Sequence, residues 1–183
     1  EKHILVFLHN VNAQRSISEL AWDGALPDAR CPGNCLADWV GLVESLTNEN
    51  DTSVLIRRAA DLDVVFEEGL VKRRYVILLE NTSSGVSEGK VSSLYLRVVA
   101  PEESGFSPVV VKLDEEEKEI VPEVVTINGH KEAGIFIEVE PGVSLIIQFA
   151  WESPANVSFD RSGEYKLFLR KQPGILDFPT KVK

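Results

Sequence analysis

The chain has no methionine, and only two cysteines, three histidines and three tryptophans in 183 residues. A translated chain starts with Met, so a Met-free sequence is expected of a processed or excised piece. Scarce His and Cys leave few ligands for a transition metal. No apolar run approaches the roughly 20 residues that span a bilayer. No signal peptide is visible either. A membrane is therefore expected to enter only through an anchor outside these residues. Positive charge is also short: 19 Lys and Arg face 29 Asp and Glu, for a net charge of -10. Phosphate binding needs clustered cations, so the charge argues against a nucleic-acid partner, and docking on an anionic membrane surface is disfavoured. The plain consequence of the charge is solubility.

The two cysteines stand together, as Cys31-Pro-Gly-Asn-Cys35. Pro-Gly-Asn is turn chemistry and folds the thiols back on each other. The alternatives are half of a zinc site or two free thiols. Zinc wants four ligands and no second Cys/His pair exists, so a small disulfide ring is the expectation. That ring favours an extracytoplasmic location.

What is present is mostly β pattern. In Asp61 to Glu67, Leu62, Val64 and Phe66 alternate with Asp61, Asp63, Val65 and Glu67, a period of two. Gly69 breaks the run, and Leu70 to Leu79 follows as a longer strand, which predicts a hairpin. Two strands bury too little to stand alone. Further strands are expected at Val91 to Ala100, Pro108 to Leu113, Val121 to Ile127, Gly134 to Glu140, Val143 to Trp151 and Gly163 to Lys171. Asn128-Gly129 is a strong turn signal between two of them. Asp114 to Glu119 reads as a charged connection. The expected fold is mainly β: an antiparallel immunoglobulin-like β-sandwich over residues 53–183. Its expected core is Leu62, Val64, Phe66, Tyr75, Ile77, Leu79, Leu94, Leu96, Leu145, Ile147, Phe149, Leu167 and Leu169.

Residues 1–52 read differently. Ile4 to Leu8 is apolar at every position, as in a strand covered on both faces. Asn10 opens a helix over Ala13 to Ala21, with Gly24 as its C-terminal cap. Asp38 to Leu46 reads as a strand, and residues 47–53 as a polar boundary. One helix covers one face only, so 1–52 is expected to be a small α/β segment ending a larger upstream domain. Its apolar surface would be met by that upstream part of the same protein or by a second copy.

Four stretches taken in order carry a resemblance. They are Glu1 to Leu8 with Leu20-Ala-Trp22-Asp-Gly24; Asp38 to Glu44 before Ile56-Arg-Arg; Tyr75 to Ser83; and Tyr165 to Arg170 followed by Lys171-Gln-Pro-Gly174. The chain resembles the C-terminal part of the bacterial domain-of-unknown-function family 4012, across nearly its whole length. The resemblance implies an extracytoplasmic bacterial protein, membrane-anchored or secreted, with no settled activity and no catalytic residues to carry over.

Catalytic chemistry finds little footing. His3, His9 and His130 form no His-x-x-x-His pair, and no nucleophile elbow or phosphate loop occurs. An enzyme is not expected, and nothing calls for a cofactor. Asp61, Asp63, Glu67 and Glu68, or Asp114 to Glu117, could offer oxygens to calcium, but their spacing matches no EF-hand loop. Solvated strand faces are the simpler reading, and no metal site is expected. Trp22, Trp39 and Trp151 could form a ligand platform for sugars, against core packing as the plainer use. Sequons at Asn50, Asn81 and Asn156 mark polar loops. Two functions follow: a structural or adhesive module of a bacterial surface protein, or a carbohydrate-binding sandwich acting on cell-wall polysaccharide.

Overall fold

In the computed structural model the described residues are 6–20, 22–23, 31, 33–47, 55–67, 69–83, 90–155, 157, 163–170, 172, 175 and 178–183. Among the described residues come helix α1 (Val11–Glu19) and twelve strands. These are β1 (Cys35–Leu46), β2 (Ile56–Glu67), β3 (Leu70–Asn81), β4 (Ser92–Pro101), β5 (Gly105–Phe106) and β6 (Val109–Leu113). Then follow β7 (Glu116–Ile120), β8 (Glu123–Ile127), β9 (His130–Val139), β10 (Ser144–Pro154), β11 (Glu164–Arg170) and β12 (Thr180–Val182).

Local chemistry accounts for the ends of these elements. The Asn10 side-chain oxygen accepts from the amides of Asn12 and Ala13, each at 3.1 Å, and starts α1. The β2–β3 hairpin runs in register from Ile56↔Asn81 to Glu67↔Leu70, around Gly69. Between β8 and β9, Asn128 and Gly129 have φ of 50° and 77°. A two-residue turn with both central φ positive matches the twist of the flanking strands, and Asn-Gly tolerates it best.

The strands form two sheets. Five are ordered β11-β1-β4-β9-β8; the other sheet runs β12-β2-β3-β10-β6-β7, with β5 on the end of β10. One core lies between them, with Val40, Leu42, Leu94, Leu96, Val98, Ile135, Ile137 and Val139 from the first sheet. Leu62, Tyr75, Ile77, Leu79, Leu145, Ile147 and Phe149 come from the second. The fold is a mainly β two-sheet sandwich. No helix among the described residues is long and apolar enough to cross a membrane.

Two buried ion pairs also cross the gap between sheets. Arg58 of β2 meets Glu44 of β1 at 2.9 Å, and Arg73 of β3 meets Asp38 of β1 at 2.7 Å. Asp38 also accepts from Tyr165 Oη at 2.5 Å and from the Trp39 amide at 2.8 Å. Buried charge is tolerated only when paired and hydrogen-bonded in this way.

Several expectations need correction. Asp38 to Leu46 does not stand apart from the sandwich. As part of β1 it lies between β11 and β4, because Val40 and Leu42 face the core and its two acids meet arginines of the opposite sheet. The sheets are not wholly antiparallel, since β11 joins β1 and β12 joins β2 in parallel. Phe66 is 40% exposed and Leu169 is 42% exposed. Both keep the inward phase, but Phe66 lies near the tip of its hairpin and Leu169 on an edge strand, where cover runs out. The charged connection proves to be a hairpin: Glu116–Ile120 pairs with β6, and charge on an edge strand keeps it from sticking to others. Val6 to Leu8 carry no strand, and Phe7 and Leu8 are exposed. Ile4, Leu5, Ala21, Gly24 and most of the 47–53 boundary lie outside the described residues.

Candidate functional site

The outer face of the six-strand path carries cross-strand charge pairs alongside the exposed Val65, Leu78 and Ile146. Across neighbouring strands Arg57 meets Glu80, Lys72 meets Glu67, Arg74 meets Asp63 and Lys112 meets Glu117. Lys183 Nζ donates to Asp61. That hydrogen bond holds the Asp61 carboxyl below its ordinary range, and Lys72 does the same for Glu67. Asp61, Asp63, Glu67 and Glu117 are thus each paired with a cation, the cross-strand pattern of a solvated sheet face. Glu68 lies outside the described residues. Among the described residues, no three His, Cys, Asp or Glu side chains converge as metal ligands.

The outer face of the five-stranded sheet is built differently. On β4 and β9 the residues out of phase with the core include Tyr95, Arg97, His130, Glu132, Gly134 and Phe136. Tyr95 and Phe136 are directly paired in register, and their rings stack at 4.4 Å with a 34° tilt. Phe136 is 67% exposed. Gly134 permits this arrangement, because a Cβ there would sit 2.3 Å from Tyr95 Oη. Tyr95 Oη donates to Glu123 at 3.1 Å. Burial, helped by that carboxylate, pushes the phenol pKa up. Arg97 lies 5.8 Å from the Tyr95 ring centroid and pairs with Glu132 at 2.9 Å. Glu132 in turn meets His130 Nε2 at 3.2 Å, and the Trp39 ring stands edge-on to His130 at 5.9 Å.

Beyond β9 the sheet ends at β8, which pairs only with β9 among the described residues. Each β8 residue is exposed. Val125 and Ile127 therefore join Phe136 and Val121 as apolar surface on the outer side of this rim, while Val124, opposite the core residue Ala133, is exposed on the other side. Surface of this kind can hold a partner by stacking, by apolar contact and by strand pairing.

The three tryptophans do not form a platform. Trp151 is 2% exposed, faces the core and stacks on Phe106 at 5.6 Å. Trp39 is buried on the outer face of the other sheet, and Trp22 is exposed beside α1. Cys31 and Cys35 lie at disulfide distance, with sulfurs 2.14 Å apart. His9 packs edge-on against Phe7, and His3 lies outside the described residues. Asn81 is no loop residue. It is fully buried, with Nδ2 donating to the carbonyls of Lys90 and Val139. Asn50 and Asn156 lie outside the described residues. The alternation predicts both strands but marks neither Phe136 nor β8 as a binding surface, yet a signal existed. In Gly134-Ile-Phe-Ile-Glu138 the Phe falls on the polar phase of the alternation. No family model and no curated protein matches the chain.

Proposed function

We propose that the chain is a non-enzymatic interaction module of an extracytoplasmic bacterial surface protein, and that it binds polypeptide through the β8–β9 rim. The observation that carries this is the contrast between the two sides of the sandwich. One outer face interleaves its exposed Val65, Leu78 and Ile146 with cross-strand charge pairs, while the rim holds Phe136, Val121, Val125 and Ile127 in solvent on one face, with Val124 exposed on the other. Exposed apolar residues that cluster mark interaction surfaces more often than scattered ones. The Cys31–Cys35 pair and the likeness to family 4012 support the extracytoplasmic setting.

A second reading has its own observation. A ring stacked on Tyr95 and flanked by Glu123 and Arg97 offers a flat face beside hydrogen-bonding groups, the pairing of chemistries that a cell-wall sugar needs. Displayed random peptides and a neutral glycan array separate the two. The first reading expects saturable peptide binding that weakens at least about tenfold in Phe136→Ala. The second expects the same loss on glycans. No saturable binder of either class would refute both.

A further inference from the structure

Resting on that reading, we infer that the open edge of β8 takes up one extended polypeptide strand with an apolar middle and basic ends. The five-stranded sheet thereby gains a sixth strand. An edge strand presents a row of backbone donors and acceptors without partners, and folded proteins blunt such edges with charge, proline or cover. The neighbouring edge, β7, is blunted in this way by Glu116, Glu117, Lys118 and Glu119. The middle of β8, Val124-Val125-Thr126, carries no charge, and Pro122 stands outside the strand, so no internal residue lacks its amide. Five residues is close to an ordinary strand length of about 5–6. Added main-chain hydrogen bonds supply affinity in this mode, and alternate side chains supply selectivity.

The occupant follows from charge. Glu123 begins the strand. At its other end, a Glu102 carboxylate oxygen lies 3.9 Å from the Cβ position of Gly129 in the turn. The uncharged middle is therefore bracketed by acids, on a chain of net charge -10. A strand with Lys or Arg at both ends complements this, and it gains in association rate as well as fit. A second copy does not. In an antiparallel pair centred on Val125, Glu123 would face Ile127 of the other copy, and two chains of net charge -10 would be brought together.

The probe is a fluorescent peptide, Lys-Arg-Val-Thr-Val-Thr-Arg-Lys, read by anisotropy and by amide hydrogen exchange on the intact chain. Controls carry Glu at both ends, or Pro in place of the central Val. Saturable binding should weaken at least about tenfold with either control. It should weaken similarly with V125K, which adds a cation at an exposed site, and exchange should slow on β8. Equal binding of the Pro peptide would show mere charge attraction and overturn the inference. So would protection elsewhere, or concentration-dependent dimers lost with V125K. If the probe fails below about 1 mM while selected peptides still depend on Phe136, the inference falls and the module reading stands. If both fail, both fall.

Discussion

Replacing Arg73 by Met is the sharpest test of how the two sheets are held together. Arg73 and Asp38 are each 1% exposed at the side chain, and two guanidinium nitrogens reach Asp38 Oδ2 at 2.7 and 2.8 Å. The third donates to Val71 O at 2.9 Å and to Ser153 Oγ at 2.6 Å. Met fills similar space but leaves Asp38 with only the Tyr165 hydroxyl and the Trp39 amide, and no counter-charge. Removing one partner of a buried pair costs about 3–5 kcal/mol, because the other charge stays buried. A domain of this size is stable by about 5–15 kcal/mol, so the variant should remain folded but much weakened. Urea unfolding gives the midpoint and slope. Asp38→Leu alone should cost a similar amount, and the double variant far less than the sum, as desolvation of both charges is then relieved. The exposed Lys72–Glu67 pair serves as the control and should be worth less than about 1 kcal/mol. If Arg73→Met also costs less than about 1 kcal/mol, or if the cycle shows no coupling, the pair does not clamp the sheets.

Phe149→Ala should cost about 3–5 kcal/mol and Phe66→Ala about 1–2, since only Phe149 is fully buried; equal losses in thermal or urea unfolding would contradict the burial assigned here. Gly134→Ala should cost about 1–3 kcal/mol by pushing Tyr95 off the sheet, and the penalty should vanish in a Tyr95→Ala background; persistence there would place the strain elsewhere. Burial pushes the Tyr75 phenol up to about 12 and also raises Tyr165, which lies against Asp38. Their stabilising contribution is complete below the unfolded value of 10.0 and is lost as pH climbs towards the folded one, by up to about 1.4 kcal/mol per pH unit per tyrosine. Tyr75→Phe should flatten that alkaline decline, and an identical profile would show that Tyr75 does not contribute to it. Cys31 and Cys35 should resist alkylation until a reductant is added, as mass spectrometry would reveal; ready labelling of native protein would refute the disulfide.

Much of the fold was written locally. The alternation of Leu62 and Val64, of Tyr75, Ile77 and Leu79, and of Leu145, Ile147 and Phe149 assigned inward residues correctly, because side-chain phase on a strand is a property of neighbours two apart. Asn10 as a helix cap and Asn128-Gly129 as a turn were legible for the same reason: each acts on backbone within a few residues. Sheet order was not. Whether a strand lies inside a sheet or at its edge depends on partners far away in the chain, as β1 shows by lying between β4 and β11. The pairing of Asp38 with Arg73 spans 35 residues and two sheets, and nothing near either residue announces it. The candidate site shares that divide. Phe136 was readable as an aromatic on the polar phase. The open edge of β8 came into being only when the assembled sheet ended there, leaving Val124 and Val125 with no strand on one side among the described residues.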